Sequence, residues 1–209
     1  MSQLTIIDHP LVHHKLAILR EASTPSATFR RVLREVTWLL AYEATQHLTT
    51  EEITIETPLE KMTVGRLPNP APCLISILRA GNGLTDGLMD ILPEASVGHL
   101  GLARNHQTLQ PEEYYCKLPP EIENRQVILA DPMLATGGST IAAIDRLREK
   151  GVQDLTFICL LAAPEGIKAL QAAHSDVTIF TGALDRKLNE KGYILPGLGD
   201  AGDRIYGTC

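Results

Sequence analysis

An α/β fold with a central parallel sheet and helices on both faces is predicted from three features of the chain. Continuous apolar runs at Cys73–Leu78, Val127–Ala130 and Leu155–Ala162 do not alternate with polar residues and are too short for buried helices. Such runs suit strands covered on both sides. From about residue 70 onward, strand-like and helix-like segments take turns, which implies crossovers within one parallel sheet. The third feature is size and balance: 209 residues, 44% hydrophobic and 21% charged, suffice for one domain with a full core. The expected organisation is a single domain over residues 1–209, with its core at about 70–182 and the terminal segments packed on it.

Taken in order, Asp8 reads as an N-cap, with Pro10 in the first turn of a helix reaching about Arg20. His13 and His14 are adjacent on that helix, face different ways and read as a solvated surface. Ser23, Thr24 and Pro25 open a longer helix whose core face is Phe29, Val32, Leu33, Val36, Leu40 and Ala44. His47, near its end, suits the negative pole of the helix dipole. Ile53 and Ile55 alternate with Thr54 and Glu56 as in a strand, and Pro58–Pro72 is turn-rich around a second extended piece. After Cys73–Leu78 come Arg79-Ala80-Gly81-Asn82-Gly83 and a helix through Leu88 and Ile91 to Leu92. Val97–Leu102 is the next strand, and the polar stretch Arg104–Lys117 is a long loop or hairpin. Leu155–Ala162 is followed by a helix at Pro164–Ala173 and a strand at Val177–Phe180. Tyr193–Thr208 carries Gly197, Gly199, Gly202 and Gly207, too many for a packed element. Its interspersed Ile194, Leu195, Leu198, Ile205 and Tyr206 make it a fixed loop rather than a free tail.

The chemistry is densest at Gln126–Lys150. The apolar run Val127–Ala130 ends at Asp131 and Pro132, and Thr136, Gly137, Gly138, Ser139 and Thr140 lead into a helix closed by Gly151. Unpaired N–H groups and the positive helix pole favour a phosphate there, while Asp131 can accept from sugar hydroxyls or face a metal ion. The turn lacks the lysine of a Walker loop; its plainest alternative is an ordinary βα turn capped by Thr136 or Ser139. Gly81, Gly83 and Gly87 are spaced G-x-G-x-x-x-G, not as in a dinucleotide fingerprint, and no ribose-binding acid follows at Gly98–Gly101. They form either a tight turn or a loop whose amides approach a pyrophosphate while Arg79 grips it. Arg79, Arg104 and Asp131 all fall at carboxyl ends of strands, where ligands of such sheets bind.

Composition excludes other classes. A net charge of −6 argues against a nucleic-acid partner, and 4% aromatics give no stacking platform. No apolar run approaches the length of a membrane span and no signal peptide is evident. Cys73, Cys116, Cys159 and Cys209 show no metal-binding spacing, and Cys73 and Cys159 read as buried thiols of a reducing cytoplasm.

The string Asp131-Pro-Met-Leu-Ala-Thr-Gly-Gly-Ser139 resembles the phosphoribosyl-pyrophosphate (PRPP) signature of type I phosphoribosyltransferases, in the form found in uracil phosphoribosyltransferases. Leu78-Arg79-Ala80-Gly81 resembles that family's pyrophosphate loop, and Tyr193–Thr208 its uracil-binding segment. Asp8-His-Pro-Leu11, Leu40-Ala-Tyr-Glu-Ala44 and Glu56-Thr-Pro-Leu59 also look like the family's N-terminal half. Many type I enzymes place two acids before the turn; Ala130-Asp131 supplies one, as in the uracil branch. Relatives usually carry acids after the arginine at 104, where this chain has Asn105 and His106.

The resemblance implies a type I phosphoribosyltransferase-like fold with a hood lobe and a long flexible loop, and conversion of uracil and PRPP to UMP and pyrophosphate. It assigns PRPP to Arg79, Arg104, Asp131, Pro132, Met133, Leu134, Ala135, Thr136, Gly137, Gly138, Ser139 and Asp200. Uracil falls to Ile194, Gly199, Asp200 and Ala201, with Asp131, Arg79, Arg104 and Asp200 the residues nearest the chemistry. Mg²⁺ would arrive with PRPP, with no metal site of the protein's own. A GTP effector and a homo-oligomer are further implications. The alternative is a regulator on the same fold that binds RNA or senses nucleotides, for which the acidic balance supplies no basic face.

Overall fold

The structure, a computed structural model, describes residues 4–104 and 111–208, with the side chains of Arg104 and Pro111 outside the description. In chain order the elements are β1 (Leu4–Ile6), α1 (Pro10–Arg20), α2 (Ser26–Ala44), β2 (Glu51–Glu56), β3 (Lys61–Arg66), β4 (Cys73–Leu78) and α3 (Asn82–Ile91). There follow β5 (Ser96–Arg104), β6 (Pro111–Lys117), a 3₁₀ turn (Ile122–Asn124), β7 (Val127–Ala130), β8 (Met133–Leu134) and α4 (Gly138–Glu149). The chain ends with β9 (Leu155–Ala162), α5 (Pro164–Ala173), β10 (Thr178–Leu184), β11 (Lys187–Leu188), β12 (Ile194–Leu195) and α6 (Ala201–Tyr206).

Among the described residues the main sheet runs β1-β10-β9-β7-β4-β5-β6, with β8 added to β9. Its pairings are parallel except that β6 returns antiparallel along β5. Of the expected loop or hairpin at Arg104–Lys117, the described part is β6 paired antiparallel with β5, and Asn105 and His106 lie outside the described residues. Successive strand residues point to opposite faces. Leu74, Ile128, Ala130, Ile158 and Leu160 meet the core faces of α1 and α2, including Phe29, Val32, Leu33, Val36, Leu40 and Ala44. Cys73, Ile75, Ile77, Val127, Leu129, Phe157 and Cys159 meet Ile144 and Leu147 of α4 and Ile167 and Leu170 of α5. Both faces are thus covered, which is why β4, β7 and β9 read as apolar runs broken only by the buried Ser76 and Thr156.

Several local expectations are corrected. His9, not Asp8, caps α1: its Nδ1 accepts from the Leu11 amide at 3.1 Å, and Asp8 instead lies 3.2 Å from His13 Nε2. His47 is not in α2, which ends at Ala44, and its Nε2 sits 3.4 Å from the Thr156 hydroxyl. Strand β1 carries no apolar run to announce it; it is a three-residue edge strand. The Tyr193–Thr208 segment does contain a packed element, α6, because its glycines mostly lie at the helix margins: Gly197 and Gly199 precede it and Gly207 caps it at φ +67°. As expected, β7 ends at Ala130, before Asp131 and Pro132, yet the chain is not freed there. The Pro132 carbonyl accepts from the Leu160 and Leu161 amides at 3.0 Å each, and β8 resumes the ladder beside β9.

One glycine joins two of these loops. A methyl group on Gly81 would lie 2.5 Å from the Ala130 carbonyl oxygen and 2.6 Å from that of Ile77. The obstructing atoms are backbone and cannot rotate away. Gly81→Ala is therefore expected to cost about 1–3 kcal/mol, measured as a lower denaturant midpoint with an unchanged slope.

Candidate active site

The carboxyl ends of β4, β5 and β7 bring Arg79, Arg104 and Asp131 to one edge of the sheet, since Ser76 pairs with Ala130 and Leu78 with Gly101. Arg104 closes β5; its side chain lies outside the described residues. Asp131 is half-buried immediately past β7, its amide donating to the Ile158 carbonyl at 3.2 Å. Burial pushes its carboxyl up to about 7, while the Met133 backbone N–H pulls the other way.

The turn that follows is shaped from beneath. Pro132 and Leu134 are buried, and the Leu134 carbonyl accepts from the Ala163 amide at 2.9 Å. A methyl on Gly166 in α5 would lie 2.4 Å from the Ala135 carbonyl oxygen, so α5 touches this loop backbone to backbone. Gly137 then takes φ +86°, a left-handed conformation that glycine adopts without steric cost. It aims the amides of Gly138, Ser139 and Thr140, which open α4 and have no acceptor one turn earlier. Thr136 and Ser139 are exposed. No side chain caps α4; the Thr136 hydroxyl only accepts a long 3.5 Å contact from the Gly138 amide. Of the two capping candidates, Thr136 makes only this long contact, and the N-cap position itself is held by Gly137, which has no side chain to offer. Beside it lies the β11–β12 hairpin: a methyl on Gly192 would stand 3.7 Å from Thr136 Cγ2.

Across the cleft, Arg79 follows a cis Leu78–Arg79 peptide, and its side chain is 57% exposed. The Tyr206 hydroxyl donates to the Arg79 carbonyl at 3.0 Å, so the C-terminal segment lies directly on this loop. Within that segment Ile194 is buried in β12, whereas Gly199 and Asp200 are exposed. Asp200 caps α6, accepting from the Asp203 amide at 2.9 Å. Ala201 and Gly202 occupy the first turn, where helix geometry supplies no internal acceptor for their amides.

Sequence reasoning missed what pins this segment. Arg20 of α1 makes a paired contact with Asp185 at 2.7 and 2.8 Å and donates to the Gly197 carbonyl at 2.8 Å. Asp185 Oδ2 in turn accepts from the Gly197 amide at 2.9 Å. Arg204 donates to the carbonyls of Leu19, Leu198 and Glu21 and covers the Phe29 ring at 4.6 Å. Arg30 reaches the Ile205 carbonyl at 2.8 Å. The available signal was the glycine density itself: a coil with so few side chains must have its backbone groups satisfied by someone else's.

A family model for uracil phosphoribosyltransferase matches residues 6–208. A curated uracil phosphoribosyltransferase of Rhizobium etli is 56% identical over 208 residues, covering 100% of this chain and 100% of the relative. The solved structure of a protein from Aquifex aeolicus is similar at a TM-score of 0.93 and 37% identity, over 98% of each chain. A hypoxanthine-guanine phosphoribosyltransferase of Bacillus anthracis shares the fold at a TM-score of 0.52 and 13% identity, over 77% of this chain and 80% of its own.

The Asp131 environment has a thermodynamic signature. Its folded-state pKa lies above the ordinary 3.8, so ionising it opposes folding. The neutral acid's contribution is complete below about pH 4 and is lost as the pH rises through about 7. Asp131→Asn, a neutral isostere, is expected to unfold with the parent near pH 4 and at a higher temperature near pH 8. Thermal unfolding at both pH values checks this, and an asparagine variant less stable at the alkaline end would contradict it.

Proposed function

The chain belongs to the uracil phosphoribosyltransferase family, and we propose that it joins uracil to C1′ of PRPP, forming UMP and releasing pyrophosphate. It is a pentosyltransferase on the type I phosphoribosyltransferase fold. The observation that carries the residue-level reading is a convergence. An uncapped helix N-terminus and a carboxylate follow β7, an arginine follows β4, and the C-terminal coil closes onto that arginine.

In this reading the amides and hydroxyls of Thr136–Ser139 hold the 5′-phosphate, on a loop whose shape is set by Pro132, Met133, Leu134 and Ala135. Asp131 accepts from the ribose hydroxyls. Arg79 and Arg104 take the pyrophosphate, and Asp200 stands between base and donor. The displacement at C1′ needs no enzyme nucleophile: its transition state is oxocarbenium-like, with negative charge growing on the leaving pyrophosphate. Charge-assisted contacts from the two arginines contribute about 1.5–3 kcal/mol each where desolvated, and the remaining rate comes from alignment. Backbone groups of Gly199, Asp200 and Ala201, with Ile194 opposite, read the base edge. An N–H facing O4 and a carbonyl facing N3–H suit uracil and are left unpaired by cytosine.

Mg²⁺ enters as an ion carried by PRPP. The described residues bring no three histidine, cysteine or carboxylate ligands together, while Asp131 and Asp200 offer single carboxylates. That donor set fits an ion completed by substrate and water oxygens. When bound it neutralises charge on the diphosphate. The terminal segments share the core of α1 and α2, which supports reading residues 1–209 as one domain with its core at about 70–182. A homo-oligomer, a GTP effector and a cytoplasmic location complete the proposal on the family resemblance. The buried thiols Cys73 and Cys159 agree with a reducing compartment, and among the described residues no helix is long and apolar enough to cross a membrane.

The test is direct. The purified chain with uracil, PRPP and Mg²⁺ is expected to form UMP, with cytosine poorer by roughly 10⁴ in kcat/KM and orotate and hypoxanthine also poor. Asp131→Asn and Asp200→Ala are each expected to lower activity at least about tenfold while the chain stays folded. A folded parent that forms no UMP overturns the reading.

A further inference from the structure

The neighbours of Arg79 come from the far end of the chain. Its carbonyl accepts from the Tyr206 hydroxyl at 3.0 Å, its guanidinium stands 5.7 Å from the centroid of the Tyr206 ring, and Asp203 Oδ1 lies 3.7 Å from its Nη2. Neither neighbour is loose. Asp203 Oδ1 accepts from the Thr208 hydroxyl at 2.5 Å, and its amide is held by the Asp200 carboxylate at 2.9 Å. At the start of α3, Asn82 Oδ1 accepts from the buried Ser76 hydroxyl on β4 at 2.8 Å. Arg204 and Arg30 lock α6 itself to α1 and α2.

Stability does not account for these contacts. An ion pair at 3.7 Å with one partner 57% exposed adds little to folding. Their effect is directional. A long arginine side chain has many rotamers, and an aromatic face together with a carboxylate beside it restricts them. The hydroxyl-to-carbonyl bond meanwhile fixes the backbone from which that side chain springs.

We propose that Asp203 and Tyr206 are positioning residues for Arg79, presenting its guanidinium to the pyrophosphate of the donor. The inference deepens the function proposed above and rests on Arg79 being a pyrophosphate ligand. The cap and first turn of the same helix are the proposed base-reading residues Asp200 and Ala201, so one pinned helix borders both substrates in this reading.

The test is a double-mutant cycle read by calorimetry of Mg²⁺–PRPP binding and by steady-state kinetics. Tyr206→Leu and Asp203→Asn are expected to weaken PRPP binding about five- to tenfold in the parent and by less than about twofold in an Arg79→Ala background. Tyr206→Phe keeps the ring and is expected to stay within about threefold of the parent. The KM for PRPP should rise more than kcat falls. Equal losses in both backgrounds, or a Tyr206→Leu chain that binds like the parent, overturn the proposal while leaving the enzyme assignment intact. A parent chain that binds no PRPP and forms no UMP sinks the assignment itself, and this is seen before any variant is made.

Discussion

Backbone meeting backbone sets the cleft. At Gly81 the turn after β4 presses on the Ala130 carbonyl, and at Gly166 the start of α5 presses on the Leu134 and Ala135 carbonyls. Neither contact leaves space for a single methyl group. The loop from Asp131 to Gly137 is therefore held from two sides by atoms that have no rotamers, and interiors this tightly packed transmit position faithfully. The open amides of α4 and the carboxyl of Asp131 inherit their placement from that contact. The hydrogen bonds that the Pro132 carbonyl accepts from β9 and the Leu134 carbonyl accepts from Ala163, just past β9, add a third support.

The opposite wall is made differently. Its glycine-rich coil has few side chains with which to anchor itself, and the anchors are supplied by arginines. Arg20 reads both backbone groups around Gly197 together with Asp185, and Arg204 gathers three carbonyls from two segments. A planar guanidinium with several donors suits this task, since it satisfies carbonyls that would otherwise be buried without partners. The coil's conformation thereby becomes a property of α1 and α2. This gives the N-terminal helices a part in shaping that wall.

Electrostatics at the centre runs against stability. A carboxyl pushed up to about 7 by burial is costly to ionise, and a purely structural position would be better served by a neutral residue. Perturbed groups of this kind collect where a ligand will supply what the protein withholds. In the proposed reaction the ribose hydroxyls and the ion carried by PRPP are that supply.

The order of strands and helices from Cys73 to Ala173 was legible in the sequence because strands buried on both faces must be apolar throughout. The strand–acid–turn–helix unit at Val127–Glu149 was legible because a helix start after Gly137 advertises itself through residue type. Those are local statements, and local chemistry suffices for them. The hidden parts are relations between distant segments. Asp185 with Arg20, Tyr206 with Arg79 and the packing at Gly81 are separated along the chain by 165, 127 and tens of residues. No periodicity records such partners. The helix in the C-terminal coil was hidden for the same reason: six residues with a glycine among them do not hold a helix alone, and α6 forms because Asp200, Arg204 and Arg30 fix its ends. Residue types thus dictated which chemistries the chain carries, whereas their assembly into one cleft came from packing, since only the folded core sets distances between residues the backbone keeps far apart.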